Sequence, residues 1–199
     1  FSCSPCVQVL CLPSVSTYIG ADIVAGALAA RLDAAEDTVL FIDIGTNGEM
    51  ILSRKGRMYA CSCAAGPALE GMNISCGMRA ETGAIDHVSL QGGQAAFTVI
   101  GGETPRGICG SGLLEAVSQG VKEGIIGKNG RISLDSPLVD TDSKGKRRII
   151  LDRSGNVYLT QSDIRQVQLC KGAILSGILT LLQQLSISPE KIDRVLVAG

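Results

Sequence analysis

The sequence predicts an α/β fold, a mixed sheet with flanking helices, and three observations carry that prediction. Apolar runs of strand length, at about 38–44, 48–54 and 57–63, follow one another across short Gly-containing turns. Segments with helical spacing of apolar residues lie on either side, at 17–32 and from 160 onward. Gly is abundant, 25 of 199 residues, which suits tight turns and close backbone packing. With 45% hydrophobic residues the chain can bury a real core, enough for one sizeable domain or two small ones.

Composition excludes several classes of function. The net charge is −1, aromatics are 3% and there is no Trp, which argues against a base-stacking nucleic-acid binder and against an anionic membrane surface. No apolar run approaches the roughly 18 residues of a membrane-spanning helix. No nucleic-acid or membrane partner is therefore expected. Phe1-Ser2-Cys3 has neither an initiator Met nor a basic n-region, and reads as the start of a piece of a longer protein. Eight cysteines are scattered through a Gly-rich, apolar chain. Cys61, Cys63, Cys109 and Cys170 sit among apolar or small residues and read as buried free thiols of a cytoplasmic protein. Cys3-x-x-Cys6, with Cys11 nearby, is the one spacing that resembles metal ligation, but no second pair at matching spacing follows.

Taken in order, residues 1–13 are apolar and end at Pro13, as a strand or extended arm. A helix is expected over 17–32, with Ile19, Ile23, Ala27 and Ala30 on one face. Residues 34–37 link it to a three-strand meander over 38–63, whose second turn is Ser53-Arg54-Lys55-Gly56. Pro67 suits the first turn of a helix. Residues 83–90 and 95–100 pair across Gln91-Gly92-Gly93. A helix over about 111–123 turns Leu113, Leu114, Val117 and Val121 inward. Residues 127–158 are turn-rich, with strands near 147–151 and 156–159 around Asp152-Arg153-Ser154-Gly155, and Lys144 to Arg148 read as a solvated loop. Thr160-Gln161-Ser162-Asp163 is a capping box that opens the longest helix. Its apolar stripe is Ile164, Val167, Ile174, Ile178, Leu181 and Leu185, beside a stripe of small residues from Gly172 to Thr180. Ser188-Pro189 is a second helix start, and Arg194 to Gly199 is a strand.

The most informative stretch is Asp43-Ile44-Gly45-Thr46-Asn47-Gly48-Glu49, where an apolar strand ends in a carboxylate and a Gly-Thr-Asn-Gly turn. One reading is an ordinary hairpin, since Asn-Gly is a favoured two-residue turn. The other is an anion site of backbone N–H groups and the Thr46 hydroxyl, beside a carboxylate able to hold hydrated Mg²⁺. Gly66-Pro67-Ala68-Leu69-Glu70 reads either as a plain helix start or as a helix N-terminus facing the same anion, with Glu70 one turn in. Gly107-Ile108-Cys109-Gly110-Ser111-Gly112 is not the dinucleotide fingerprint and reads as a Gly-rich helix entry. His87 is the only histidine and reads as a satisfied structural residue, which makes a Ser-His-Asp triad improbable.

The order of these parts resembles the second half of the actin, sugar-kinase and heat-shock-chaperone ATPase superfamily. There an Asp-x-Gly-Thr-type hairpin is the second phosphate loop, and a strand ending like Val195-Leu196-Val197-Ala198-Gly199 starts the adenosine motif. A narrower resemblance rests on Phe41 to Met50, Cys61 to Gly71, Gly77-Met78-Arg79-Ala80, Gly83-Ala84-Ile85, Gly107 to Gly112 and Leu159 to Arg165. Tyr18 to Ile23 fits it too, so it covers nearly the whole chain. These segments resemble the reductive activators of corrinoid proteins. Cys63-Ala64-Ala65-Gly66 also resembles the loop of 2-hydroxyacyl-CoA dehydratase activators.

The resemblance implies a ribonuclease-H-like fold, with an arm and helix of a preceding subdomain over 1–37 and the second ATPase subdomain over 38–199. It implies ATP or ADP with Mg²⁺ as cofactor, an iron–sulfur cluster in the parent protein but not in this piece, and the corrinoid protein of a methyltransferase system as partner; a homodimer is also admitted. The activity implied is the ATP-dependent return of corrinoid cobalt from Co(II) to Co(I). Gly45, Thr46, Asn47 and Gly48, with Glu49, would cradle the phosphates. Asp43 would hold Mg²⁺ through water or orient the attacking water. Gly66 and Glu70 are further candidates, and Ala198 and Gly199 would flank the adenosine. The first phosphate loop and the family's cluster ligands do not appear in these residues, so ATP hydrolysis by this piece alone is not expected. The rival readings are a sugar or acyl kinase, a dehydratase-activator-like ATPase, and a non-catalytic module that docks a corrinoid protein.

Overall fold

The computed structural model describes residues 6–8, 10–152, 154 and 157–199. In chain order the helices are α1 (Ala21–Ala29), α2 (Gly110–Lys122) and α3 (Gln161–Leu185). The strands are β1 (Val39–Ile44), β2 (Gly48–Arg54), β3 (Arg57–Cys63), β4 (Ala84–Gln91), β5 (Gln94–Val99), β6 (Gly107–Ile108), β7 (Val139–Thr141), β8 (Arg147–Asp152), β9 (Val157–Thr160) and β10 (Arg194–Ala198). The described residues fall into two compact units. The first takes the chain up to Asp43 with Glu49–Ser62 and Gly177–Gly199; the second takes Ile44–Gly48 and Cys63–Ser176.

The first unit is built on the sheet β10-β1-β2-β3. Val39, Leu40, Phe41 and Ile42 are all buried, the pattern of a central strand covered on both faces. The expected meander is present, and its second turn has left-handed backbone at both Lys55 and Gly56. β10 runs parallel to β1, with Phe41 opposite Leu196 and Asp43 opposite Ala198. Below that ladder the Asp193 carboxylate accepts the Thr38 N–H at 2.8 Å, and the Thr38 carbonyl accepts the Asp193 N–H at 2.9 Å. Helix α1 buries Ile23 and Ala27 into a cluster with Leu32, Val39, Phe41 and Ile51.

The expected helix over 17–32 is much shorter. Ser16 and Ile19 instead form an isolated antiparallel bridge, and Gly20 has extended backbone, so the helix starts at Ala21. At the other end Arg31 takes left-handed backbone, and a 3₁₀ turn over Leu32–Ala34 follows. Residues 10–14 form no strand, and most of the arm's earlier residues lie outside the described set.

The second unit has two three-stranded sheets, β5-β4-β6 and β7-β8-β9. The hairpin across Gln91-Gly92-Gly93 is as expected, with both glycines at positive φ. Its core joins Ile85, Val88 and Leu90 of β4 to Leu113 and Ala116 of α2, Ile149 and Leu159 of the second sheet, and Ile164 and Val167 of α3. α2 faces inward through Gly112, Leu113, Ala116 and Gly120, whereas Leu114 and Val121, expected inside, are exposed. The small residues let the helix lie close to β4: a Cβ on Gly112 would stand 2.4 Å from the Ile85 carbonyl oxygen. The Gly-rich entry is therefore a packing device. The basic run is only partly a loop. Arg147 and Arg148 belong to β8, and Arg148 pairs with Asp140 at 3.0 Å and stacks over Tyr158. Arg153 and Gly155 of the turn before β9 lie outside the described residues. β7 had no signal in the sequence beyond a turn-rich composition, being only three residues long.

The capping box holds. Asp163, buried, accepts the Thr160 N–H at 2.7 Å and the Thr160 hydroxyl at 2.8 Å, and its other oxygen accepts the Ser75 N–H at 2.9 Å. In the first unit, Gly177 of α3 is a contact point, since a Cβ there would meet Met50 Cε at 2.5 Å; Gly172, in the second unit, has open space. The small stripe thus serves packing at Gly177 alone of these two. Among the described residues no helix is long and apolar enough to cross a membrane. Replacing Asp163 with Ala strands two backbone donors, and we expect a loss of about 2–4 kcal/mol, read from denaturant unfolding of the second unit. A loss within experimental error would show that the cap is decorative.

Candidate functional site

In the first unit a carboxylate group forms where β1 ends and β2 begins. Asp43 is half-buried near the end of β1, and Glu49 is the second residue of β2. Asp22, exposed on the first turn of α1, is the third member. Burial pushes the Asp43 carboxyl above its usual value, and the Asp22 charge adds to the rise. Burial likewise raises Glu49, although the Gly20 N–H, donating to its Oε1 at 3.3 Å, works the other way; Asp22 and Asp43 both push it further up. Three neighbouring carboxylates with two backbone donors among them, the Gly20 N–H to Glu49 and the Ile23 N–H to Asp22, form a donor set suited to a hard divalent cation and its waters. Asp22 was missed by sequence reasoning. Its position just after Gly20 at a helix start was the available signal, and it carried no indication of which strand that helix would meet. Ala198 sits in the β10 rung opposite Asp43, and Gly199 has φ 112°.

In the second unit the loop Ile44–Gly48 is not the Asn-Gly hairpin turn. That turn needs left-handed backbone, and neither Asn47 nor Gly48 has positive φ. The loop closes on itself through the Gly45 N–H donating to the Asn47 carbonyl at 3.1 Å. The Gly66 N–H donates to the Thr46 carbonyl at 2.8 Å, and the Thr46 hydroxyl donates to Glu70 Oε1 at 2.6 Å. Gly48 is buried against Cys63, whose Sγ would lie 2.8 Å from a Cβ there. Burial pushes the Cys63 thiol up, against a hydrogen bond from the Gly48 backbone. The backbone N–H groups of Thr46 and Asn47 donate to no group among the described residues, and both residues are exposed. Two such donors beside a hydroxyl are the makings of an anion site.

Gly66 and Glu70 are brought to this loop, but not as expected. Residues Pro67–Glu70 form one 3₁₀ turn, ended by left-handed Gly71, so no helix N-terminus faces the loop. Glu70 is engaged by the Thr46 hydroxyl. Gly66, at φ 80° and ψ 159°, holds backbone that only Gly adopts freely. His87 has a side-chain partner, as a structural histidine would, but at the surface. It stands on the exposed face of β4 beside Glu115, 3.3 Å away. Cys109 and Cys170 are buried, whereas Cys61 and Cys63 are half-buried. Cys6 and Cys11 are exposed free thiols, and Cys3 lies outside the described residues.

Comparison with known proteins agrees with these features. Residues 37–199 match the family model described as the C-terminal domain of RACo, the ASKHA domain, and residues 1–35 match the RACo middle region. The chain is 34% identical to the corrinoid activation enzyme RamQ of Eubacterium limosum, over 94% of this chain and 34% of that protein. It is 26% identical to the [Co(II) methylated amine-specific corrinoid protein] reductase of Methanosarcina barkeri, over 96% of this chain and 37% of that one. A solved structure titled reductive activator for corrinoid, iron-sulfur protein matches with a TM-score of 0.87 and 37% identity, over 94% of this chain and 31% of that chain. The chain therefore spans about a third of the length of the curated relatives it matches. The similarity also bears out the expected fold, that of the actin-like ATPase superfamily.

Two outcomes follow from this geometry. Gly48→Ala must displace Cys63 and is expected to cost about 1–3 kcal/mol. Gly45→Ala, whose Cβ would meet nothing nearer than 3.7 Å, is expected to be close to neutral; equal losses in denaturant titrations would refute the packing account. The second concerns pH. Asp43 and Glu49 have raised folded-state pKa values, so their contribution to stability is fully present below the ordinary carboxylate values of 3.8 and 4.5 and is lost as pH rises through the raised ones. Asp43→Asn should remove part of that loss, so the variant gains stability relative to the parent between about pH 4 and pH 7. Parallel melting curves of the two proteins across that range would sink the assignment.

Proposed function

We propose, because this chain belongs to the family of RACo C-terminal ASKHA domains, that it is the part of a longer reductive activator that supplies the second phosphate loop of an ATP site. In this reading residues 1–37 are the arm and helix of a preceding subdomain, and 38–199 are the second ribonuclease-H-like subdomain. The parent protein uses ATP to return the corrinoid of a methyltransferase system's partner protein to Co(I). What supports the loop assignment is one observation above the rest: the unspent N–H groups of Thr46 and Asn47 beside the Thr46 hydroxyl.

The residues present fit the group. Within the loop Gly45 to Gly48, phosphate oxygens are received through the backbone N–H groups of Thr46 and Asn47, the Gly45 N–H being held by the Asn47 carbonyl, and Thr46 gives up its bond to Glu70 or shares it. The freed Glu70 carboxylate can then accept a proton or hold a water. Burial and the Asp22 charge raise the Asp43 carboxyl, a cation beside it would favour its ionised form, and Glu49 behaves alike. Bound Mg²⁺ would neutralise phosphate charge. Ala198 and Gly199 offer small side chains and open backbone beside an adenosine. ATP can drive a reduction of this kind only by binding one conformation of the activator better than another. An iron–sulfur domain elsewhere in the parent protein would supply the electron.

In the full-length protein, Thr46→Val is expected to weaken Mg-ATP binding about tenfold, the loss of one charge-assisted hydrogen bond. Asp43→Asn should abolish ATP-dependent loss of the Co(II) spectrum of a corrinoid protein while leaving the fold's melting profile cooperative. Both variants reducing cobalt at the parental rate would end this reading.

A further inference from the structure

The second unit contains a cavity of about 830 Å³, within the size range of small-molecule sites. It opens where the start of α3 meets the loop before Arg131 and the turn before β8. Four cations line it, Arg131, Lys146, Arg147 and Arg165, against a single carboxylate, Asp142. That carboxylate is already engaged: its Oδ1 accepts the N–H groups of Lys144 and Lys146, each at 2.8 Å. None of the four cations takes part in an ion pair among the described residues. Arg147 spends one N–H on the Ile132 carbonyl, and Arg165 spends one on Gln168 Oε1 at 3.2 Å. The remaining guanidinium donors have no partner among the described residues.

The helix end brings its own carboxylate, Asp163, in the first turn of α3, where it offsets the helix-end charge and accepts the Thr160 N–H at 2.7 Å. The side chains themselves make the excess. The cavity wall is held rather than loose. Gln161 accepts the Ile132 N–H at 3.0 Å through Oε1 and donates through Nε2 to the Gly130 carbonyl at 2.6 Å. Asn129 Oδ1 accepts the Arg131 N–H at 3.0 Å, which fixes the backbone that carries this arginine. Like charges gathered around one concavity repel, and folding sets only the Asp142 carboxylate, its pKa held down by its hydrogen bonds and by the Lys146 charge, against four cations. An anion would provide the missing counter-charge. Three guanidinium forks suit the several oxygens of a phosphate group better than a lone carboxylate. A concave site of this size suits a small molecule better than a protein surface.

We propose that this cavity is a second anion site, built from residues other than the 44–48 loop, that takes a small molecule bearing two or more phosphates. Inorganic pyrophosphate is the probe. It is titrated calorimetrically into the full-length protein at low salt, in the presence of saturating ADP and Mg²⁺. Binding is expected to persist there and in Thr46→Val, and to weaken at least tenfold in the Arg131→Gln, Arg165→Gln double variant, with ADP affinity unchanged. Lys146→Gln, whose side chain is exposed and has no hydrogen-bond partner among the described residues, serves as a second variant with a smaller loss, so the test survives a double variant that does not fold. The proposal is overturned by absence of pyrophosphate binding under ADP, by equal affinity in both cation variants, or by succinate binding as tightly as pyrophosphate. Loss of binding in Thr46→Val alone would assign the pyrophosphate to the phosphate loop instead.

Discussion

Burial of Val39, Leu40, Phe41 and Ile42 on both faces of one strand is the constraint on which the first unit depends. Four consecutive apolar side chains can be covered only if the strand is central, with β10 on one side, β2 on the other, and α1 packed across it. Once that is satisfied, the next residue along the strand has little choice of surroundings. Asp43 must lie where the cover runs out, half in water and half in the core. Its discomfort there follows from the same packing that makes the fold.

That discomfort is compounded by its neighbours. A protein gains nothing in stability by this gathering of carboxylates, since Asp22 makes Asp43 and Glu49 harder to ionise and Asp43 adds to the effect on Glu49. The second unit shows the complementary arrangement, a loop with backbone donors left unspent and a hydroxyl held ready by Glu70. Neither feature is a requirement of folding. Repulsion left unrelieved and donors left unpaired are what a site for a charged ligand costs before the ligand arrives.

Much of this was legible beforehand, and the reasons differ by element. The meander, the β4–β5 hairpin and the Thr160 cap were readable because each is specified locally, by alternation, by paired glycines or by a side chain three residues away. The length of α1 was not, because its ends are set by an extended Gly20 and a left-handed Arg31, and nothing in the composition of 17–32 announces either. The inward face of α2 was misjudged because size was taken as the guide to burial. Contact with β4 selected Gly112, contact with Ile126 selected Gly120, and Leu114 and Val121 turned outward. The candidate site was legible where it is contiguous in sequence, from Asp43 to Glu49. Asp22 joins through tertiary contact alone, and the Pro67 turn looked like a helix because Pro marks the start of both kinds of turn.

The parallel pairing of β1 with β10 has a consequence for accuracy. In a ladder, side chains alternate between faces, so a slip of one residue would carry Asp43 to the opposite side of the sheet. What prevents the slip lies at the other end of the strand, where Thr38 and Asp193 clasp each other in both directions and Arg194 grips Asp37. The aim of the carboxylate is thus calibrated remotely, by a polar latch several residues away that touches no ligand. Substitutions at Thr38 or Asp193 would act as sighting errors, leaving the composition of the site intact while pointing it elsewhere.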